Sequence, residues 1–283
     1  MKNLIPLLRA APVACAMGIA MLMMTNPALA QDAPPPTQES DWNVVAGLGV
    51  LRTPIFPGAS KSEVRPAPYL SIDYDDRFFV RGPAIGVNLF RFGQDDRFRL
   101  GVITRITPEA EWDESDDRAL HGLGKISGGI DAGVFGSYRS ESWFAEVAAT
   151  RGAVLRKENG ESSTRGSGTV VQLGFGYTTR LASNLRWMTQ VSTQWADANR
   201  TRTYFGVSQA QSLATGLQPY QPKAGITSYG VTTTLNYAFG KRWTVTGLIK
   251  YERLAGDAKS SPIVTANGKT NQVSVGAFLG YQF

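Results

Sequence analysis

The amino-acid sequence predicts an all-β fold: a transmembrane antiparallel β-barrel of about twelve strands, with short periplasmic turns and longer extracellular loops. Three observations point there. The chain opens with an export segment, apolar and polar residues alternate from Trp42 onward, and the connections between strands are short and long in turn.

The export segment comes first. Lys2 and Arg9 form a positive flank, residues 10–24 are almost wholly apolar, and Ala28-Leu29-Ala30 fits the small-x-small cleavage pattern. Cleavage before Gln31 would remove 30 of the 283 residues and leave 253. The apolar run is short for a membrane helix, and Pro27 follows it. Cys15, the only cysteine, lies inside this segment and lacks an aliphatic residue three positions before it. The remainder is therefore expected to carry no lipid anchor, disulfide or thiolate metal site. No apolar run of 18 residues follows, so the rest is either water-soluble or crosses a membrane with strands. Without Lys2 and Arg9 the formal charge falls from +6 to +4. That suits contact with anionic lipopolysaccharide and gives no argument for nucleic acid. The organisation read from the sequence is a cleaved signal peptide (1–30), a disordered, proline-rich periplasmic leader (31–41) and one barrel (42–283).

Strands are expected at 42–51, 64–74, 77–81, 84–92, 98–106, 126–138, 143–150, 168–180, 185–196, 228–239, 243–252 and 271–283. The last is the clearest, with Val273, Val275, Ala277, Leu279, Tyr281 and Phe283 on one face. Pro66 and Pro68 weaken the second, because proline cannot donate to a ladder. The third is the shortest. Short links are expected at 75–76, 93–96, 139–142, 181–184 and 240–241, and long ones at 52–63, 107–125, 151–167, 197–223 and 253–270. Only Gly82-Pro83 breaks the alternation.

Two physical tests favour a membrane wall. Charge on the lipid side of a barrel costs about 2–4 kcal/mol at mid-depth. Arg65, Asp73, Arg99, Arg105, Asp131, Glu146, Arg180, Arg186, Lys250 and Glu252 all fall on the more polar face, with Arg91 ambiguous. Aromatic rings, in turn, prefer the water–hydrocarbon interface. Trp42, Tyr74, Tyr138, Trp143, Trp187, Tyr237, Phe239, Trp243, Tyr281 and Phe283 all fall on the outer face, near the short turns. A soluble β-sandwich or lipocalin-like barrel explains the alternation but not this clustering. Tyr281 and the terminal Phe283 also look like the signal read by barrel-insertion machinery.

Three stretches resemble the MipA/OmpV family of outer-membrane proteins. They are Pro54-Ile55-Phe56-Pro57-Gly58-Ala59 with 64–69, then Tyr204-Phe205-Gly206-Val207-Ser208 with Gln209, Gly216 and Tyr220, and lastly 251–257, ending in Gly256-Asp257, with 261–264. The resemblance implies an outer-membrane barrel without enzymatic activity, catalytic residues or cofactor. It also implies a scaffold role, since the family's namesake is described as bridging a lytic transglycosylase and a murein synthase. Other members are discussed as porin-like proteins or adhesins.

Few residues suggest chemistry of their own. His121, the only histidine, lies among Glu109, Glu111, Asp113, Glu114, Asp116 and Asp117. Such a group could form a hydrolase dyad or hold a hard cation. The plainer reading is a solvated acidic loop, and one histidine cannot make a multi-histidine zinc site. Arg200, Arg202 and Lys223 flank residues 204–220 and could meet lipopolysaccharide phosphates. Alternatively, that loop folds over the barrel mouth and packs its own aromatics. The expectation is therefore a non-enzymatic, cofactor-free barrel. Its partners would be outer-membrane lipid and lipopolysaccharide, the insertion machinery, and a lytic transglycosylase and murein synthase. A small diffusion channel or an adhesin-like surface protein is the alternative.

Overall fold

The computed structural model describes residues 42–107, 113, 117–158, 161–163 and 168–283. Thirteen strands form one antiparallel sheet: β1 (Trp42–Pro54), β2 (Ser62–Tyr74), β3 (Phe78–Arg81), β4 (Ala84–Phe92), β5 (Phe98–Thr107), β6 (Lys125–Arg139), β7 (Trp143–Glu158), β8 (Glu161–Ser163), β9 (Gly168–Ala182), β10 (Leu185–Ala196), β11 (Gly225–Phe239), β12 (Trp243–Leu254) and β13 (Asn271–Gln282). Apart from β8 and β9, which both pair with β7, each pairs with its sequence neighbours, and β1 pairs with β13 to close the ring. β8 and β9 share one position beside β7: β8 pairs with 156–158 and β9 with 143–152. The wall thus has twelve strand positions, as the alternation predicts, and the ring closes without a free terminal strand. Among the described residues no helix is long and apolar enough to cross a membrane.

Sidedness follows the sequence pattern. Along β12, Val245, Ile249 and Tyr251 are exposed while Leu248 and Lys250 are buried. Along β13, Val273, Val275 and Leu279 are exposed while Ser274 and Phe278 are buried. Large apolar side chains left bare on every side of a molecule are tolerable only where the solvent is hydrocarbon. The inward face carries the charge, mostly in pairs. Arg81 reaches Asp73 at 2.9 Å, Arg99 reaches Asp76 at 3.3 Å, Arg200 reaches Asp131 at 3.3 Å and Lys250 reaches Glu252 at 2.6 Å. Arg65 pairs with Glu63. Arg91, ambiguous in sequence, sits at the turn end of β4, 3.6 Å from Asp96.

At the end with the short turns, rings touch around most of the barrel. Trp42 and Tyr74 lie 4.4 Å apart, Phe98 and Tyr138 4.8 Å, Trp143 and Tyr177 4.7 Å, Trp243 and Tyr281 4.9 Å, and Tyr281 and Phe283 5.0 Å. This is the girdle expected at a membrane interface. Phe92, Phe98, Phe175 and Tyr177 belong to it as well.

One expectation holds where it was weakest, and one needs correction. β2 is a full strand, as expected, and Pro66 and Pro68 do not break it. β3 reaches only the residues 71–74 of β2, so the outer half of β2 pairs with β1 alone. The Leu70 carbonyl accepts from Gly82 N at 2.8 Å, so even-numbered residues aim their backbone groups at the β3 side. Both prolines therefore lack an N–H just where no strand could receive one. The segment 151–167, read as a loop, instead continues as strand to Glu158 and returns as β8. Polar side chains carry no two-sided pattern there, yet the backbone still completes its ladder.

Candidate functional site

At the end opposite the girdle, the long loops form a cap with four short helices that the search for helical periods did not detect. These are α1 (Ala198–Phe205), α2 (Gln209–Thr215), α3 (Gly256–Ser260) and α4 (Pro262–Asn267). From the β1–β2 loop come Ile55, Phe56 and Ala59; from the β5–β6 loop, Leu120 and Leu123, with Ile126 at the start of β6; from the β10–β11 loop, Tyr204, Phe205 and Val207; from the β12–β13 loop, Ala258, Ile263 and Val264. They make one apolar cluster, and Leu120, Leu123 and Ile126 are 0% exposed. Each such side chain contributes about 1.5–3 kcal/mol on burial. The four loops therefore hold one another across the mouth.

Local chemistry fixes each piece. Asp197 caps α1 by accepting from Arg200 N at 2.8 Å. Ser208 and Gln211 form a capping box at α2, and Gln211 Nε2 donates to the Leu123 carbonyl at 2.6 Å. Ser261 Oγ donates to the Phe205 carbonyl at 2.7 Å. Val207 and Tyr220 exchange backbone hydrogen bonds of 2.9 and 2.8 Å. The Tyr220 hydroxyl donates to the Asp257 carbonyl at 3.0 Å, while Lys223 N donates to Asp257 Oδ2 at 2.7 Å. Gly58 has φ 95°, and its carbonyl accepts from Lys269 N at 2.8 Å. Arg200 ties the cap to the bore: its guanidinium lies over the Tyr204 ring at 4.8 Å and pairs with Asp131 of β6.

Pro57, Gly58, Tyr204, Phe205, Gly206, Gly256 and Asp257, far apart in sequence, thus meet in one cap. Burial of Tyr204 and Phe205 is the self-packing alternative for the 204–220 loop. Tyr281 and Phe283 sit on the outer face beside the short turns. Ala28, Ala30 and Gln31 lie outside the described residues.

The acidic segment divides. Glu109, Glu111, Glu114 and Asp116 lie outside the described residues. Asp113 pairs with Lys125 at 3.0 Å and Asp117 with Lys61 at 2.6 Å. Asp117 also accepts from Ala119 N at 2.8 Å. The Lys61 contact, helped by that backbone N–H, holds the Asp117 carboxyl below the usual carboxylate range. His121 is exposed, and among the described residues no three His, Cys, Asp or Glu side chains gather as a metal site.

At the turn end the bore holds a cavity of about 410 Å³. Ser140 and Glu141 of the β6–β7 turn and Asn184 of the β9–β10 turn mark its rim. Phe144, Met188 and Phe278 mark its inner end. Arg139, Arg180 and Arg186 lie along its wall. Sequence faces alone could not find this site, because it depends on which strands are neighbours.

The family described as MltA-interacting protein MipA matches residues 46–283, nearly the whole described barrel. The chain belongs to that family. Among MipA relatives, the MltA-interacting protein of Escherichia coli (strain K12) is 25% identical over 247 residues, covering 87% of this chain and 91% of that protein. YiaT of the same bacterium, which carries an outer-membrane protein name, is 24% identical over 229 residues, covering 81% and 86%. Among solved structures, an outer membrane channel from Pseudomonas putida F1 aligns at 11% identity and a TM-score of 0.43, covering 89% of this chain and 99% of that one. This MipA-family chain is an outer-membrane β-barrel.

Proposed function

We propose that the protein is a non-enzymatic docking barrel for periplasmic enzymes of murein synthesis and hydrolysis. The observation that carries this reading is the family match, joined to a relative of similar length named for interacting with MltA. The geometry supports it. The outer mouth is packed with apolar side chains, while the turn end presents a charged face. Two neighbouring turns there repeat Asp-Asp-Arg-Phe, at 75–78 and 95–98. Arg77 pairs with Asp75 at 3.3 Å and Arg97 with Asp95 at 3.5 Å. A stable interface needs about 800 Å² per partner, so docking has to engage several turns together or the leader 31–41.

The test is capture of a lytic transglycosylase and a murein synthase on the purified barrel. Parallel captures use a 31–41 deletion and the charge reversals Asp75→Lys and Asp95→Lys. Retention by the parent and loss in either variant supports docking, and no retention by the parent removes it. The alternative, a small diffusion channel, has to contend with Leu120, Leu123, Phe205 and Val207 across the mouth. Stable single-channel steps in a planar bilayer would favour it over docking.

A further inference from the structure

The bore pairs several of its cations with acids, and one place differs. Arg180 of β9 and Arg186 of β10 stand directly opposite each other in the ladder, and both line the cavity at the turn end. Like charges facing each other across a strand pair oppose folding. Elsewhere in the bore an acid answers several inward cations, Asp73 for Arg81, Asp76 for Arg99, Asp131 for Arg200 and Glu252 for Lys250, while Arg105 donates to Gln172 Oε1. Among the described residues no carboxylate lies within ion-pair distance of Arg180 or Arg186. Arg139 lines the same wall, with Glu141 at the rim and Glu146 and Asp73 among its charged neighbours.

Around the cations stand neutral hydrogen-bonding groups: Thr178, Asn184, Asn236 and Thr244. Two guanidinium side chains from facing ladder positions, with amide and hydroxyl groups lining the same cavity, suit the oxygens of a carboxylate or phosphate. The cavity volume lies at the lower end of the range of small-molecule sites. Its rim is made of short turns, so its access is from the periplasm. We infer that the Arg180–Arg186 pair is a binding site for a small periplasmic oxyanion, carried on a molecule that enters the bore from the turn end. The inference is independent of the docking reading, since it uses the inside of the bore rather than the turn surface.

Titration calorimetry on the whole purified barrel in detergent tests it, with citrate, inorganic phosphate and neutral sorbitol as probes. The expected result is saturable one-to-one binding of citrate, phosphate or both, and none of sorbitol. Binding of citrate alone assigns a carboxylate ligand, of phosphate alone a phosphate ligand, and of both a general oxyanion site. The double variant R180Q/R186Q is expected to weaken binding at least about tenfold. Lys241→Gln, on the β11–β12 turn and outside the cavity lining, is expected to leave it unchanged. Heat-modifiable migration on gels checks the fold of each variant. A second reading does not need a binding-competent variant: the bound anion should raise the thermal midpoint of the parent barrel. The double variant, freed of the facing charges, should match or exceed the anion-free parent. Absence of saturable binding by either anion overturns the inference. So does undiminished binding in a folded R180Q/R186Q barrel.

Discussion

Gly58 shows how much one residue decides. Its φ of 95° lies where glycine alone is at ease, and a Cβ there would sit 2.6 Å from Val264 Cγ2. Gly58→Ala should therefore loosen the cap by about 1–3 kcal/mol while leaving the wall intact. Faster proteolysis of the 253–270 segment with unchanged gel migration would register it. Asp117 gives a pH dependence. Its folded value is depressed by Lys61 and the Ala119 N–H, so its stabilisation is full above the ordinary carboxylate range. That stabilisation is lost as pH falls through the folded value. Protection factors for amide exchange at Ala119 and Leu120, taken relative to the unstructured rate at each pH, should fall on acidification below about pH 4, and Asp117→Asn should abolish that dependence. Lumen and lipid faces were legible residue by residue, because period two fixes sidedness. The Arg180–Arg186 contact was not, because register across strands leaves no mark in either strand alone.

At the scale of elements, alternation located all twelve wall positions, including the short β3. The turn before it rests on Asp75 and Asp76 at φ 49° and 50°, a conformation that aspartate accepts more readily than most residues. The four cap helices were missed for a physical reason. With five to eight residues each, they span too few turns to show a period. Their caps were nonetheless written in the chain, as Ser208 with Gln211 and as Pro262 after Ser261. The β7–β8 extension also had a signal, the Asn159-Gly160 dipeptide between two polar runs. The prolines of β2 make a sharper prediction. Pro66 and Pro68 face the side without a partner, whereas Ala67, 1% exposed, directs its backbone to β1. Ala67→Pro should cost about 3 kcal/mol or more by removing a ladder bond. Urea unfolding in lipid vesicles measures it, and a cost near zero would contradict the assigned register.

For the molecule as a whole, the deciding quantity is the solvent on each side of the wall. Ile249, 52% exposed near the middle of β12, faces outward. Ile249→Arg should lower the unfolding free energy by about 2–4 kcal/mol in a bilayer. In a water-soluble protein an arginine at so exposed a position would cost almost nothing, so the same measurement separates the two environments. Packing at one end and the cavity at the other also give the barrel a direction. Its apolar seal lies at the end with the long loops and its cavity at the end with the short turns.

The foreshortened β3–β4 hairpin leaves one more mark on mechanics. Only four residue pairs join β3 to β2, where β1 and β2 share thirteen. A hoop yields at its thinnest joints, and those of β3 with β2 and with β4 hold four pairs each, beside a β2 edge where Pro66 and Pro68 offer no donor N–H. Radial breathing of the barrel should therefore concentrate at this seam, leaving the rest of the circumference stiff.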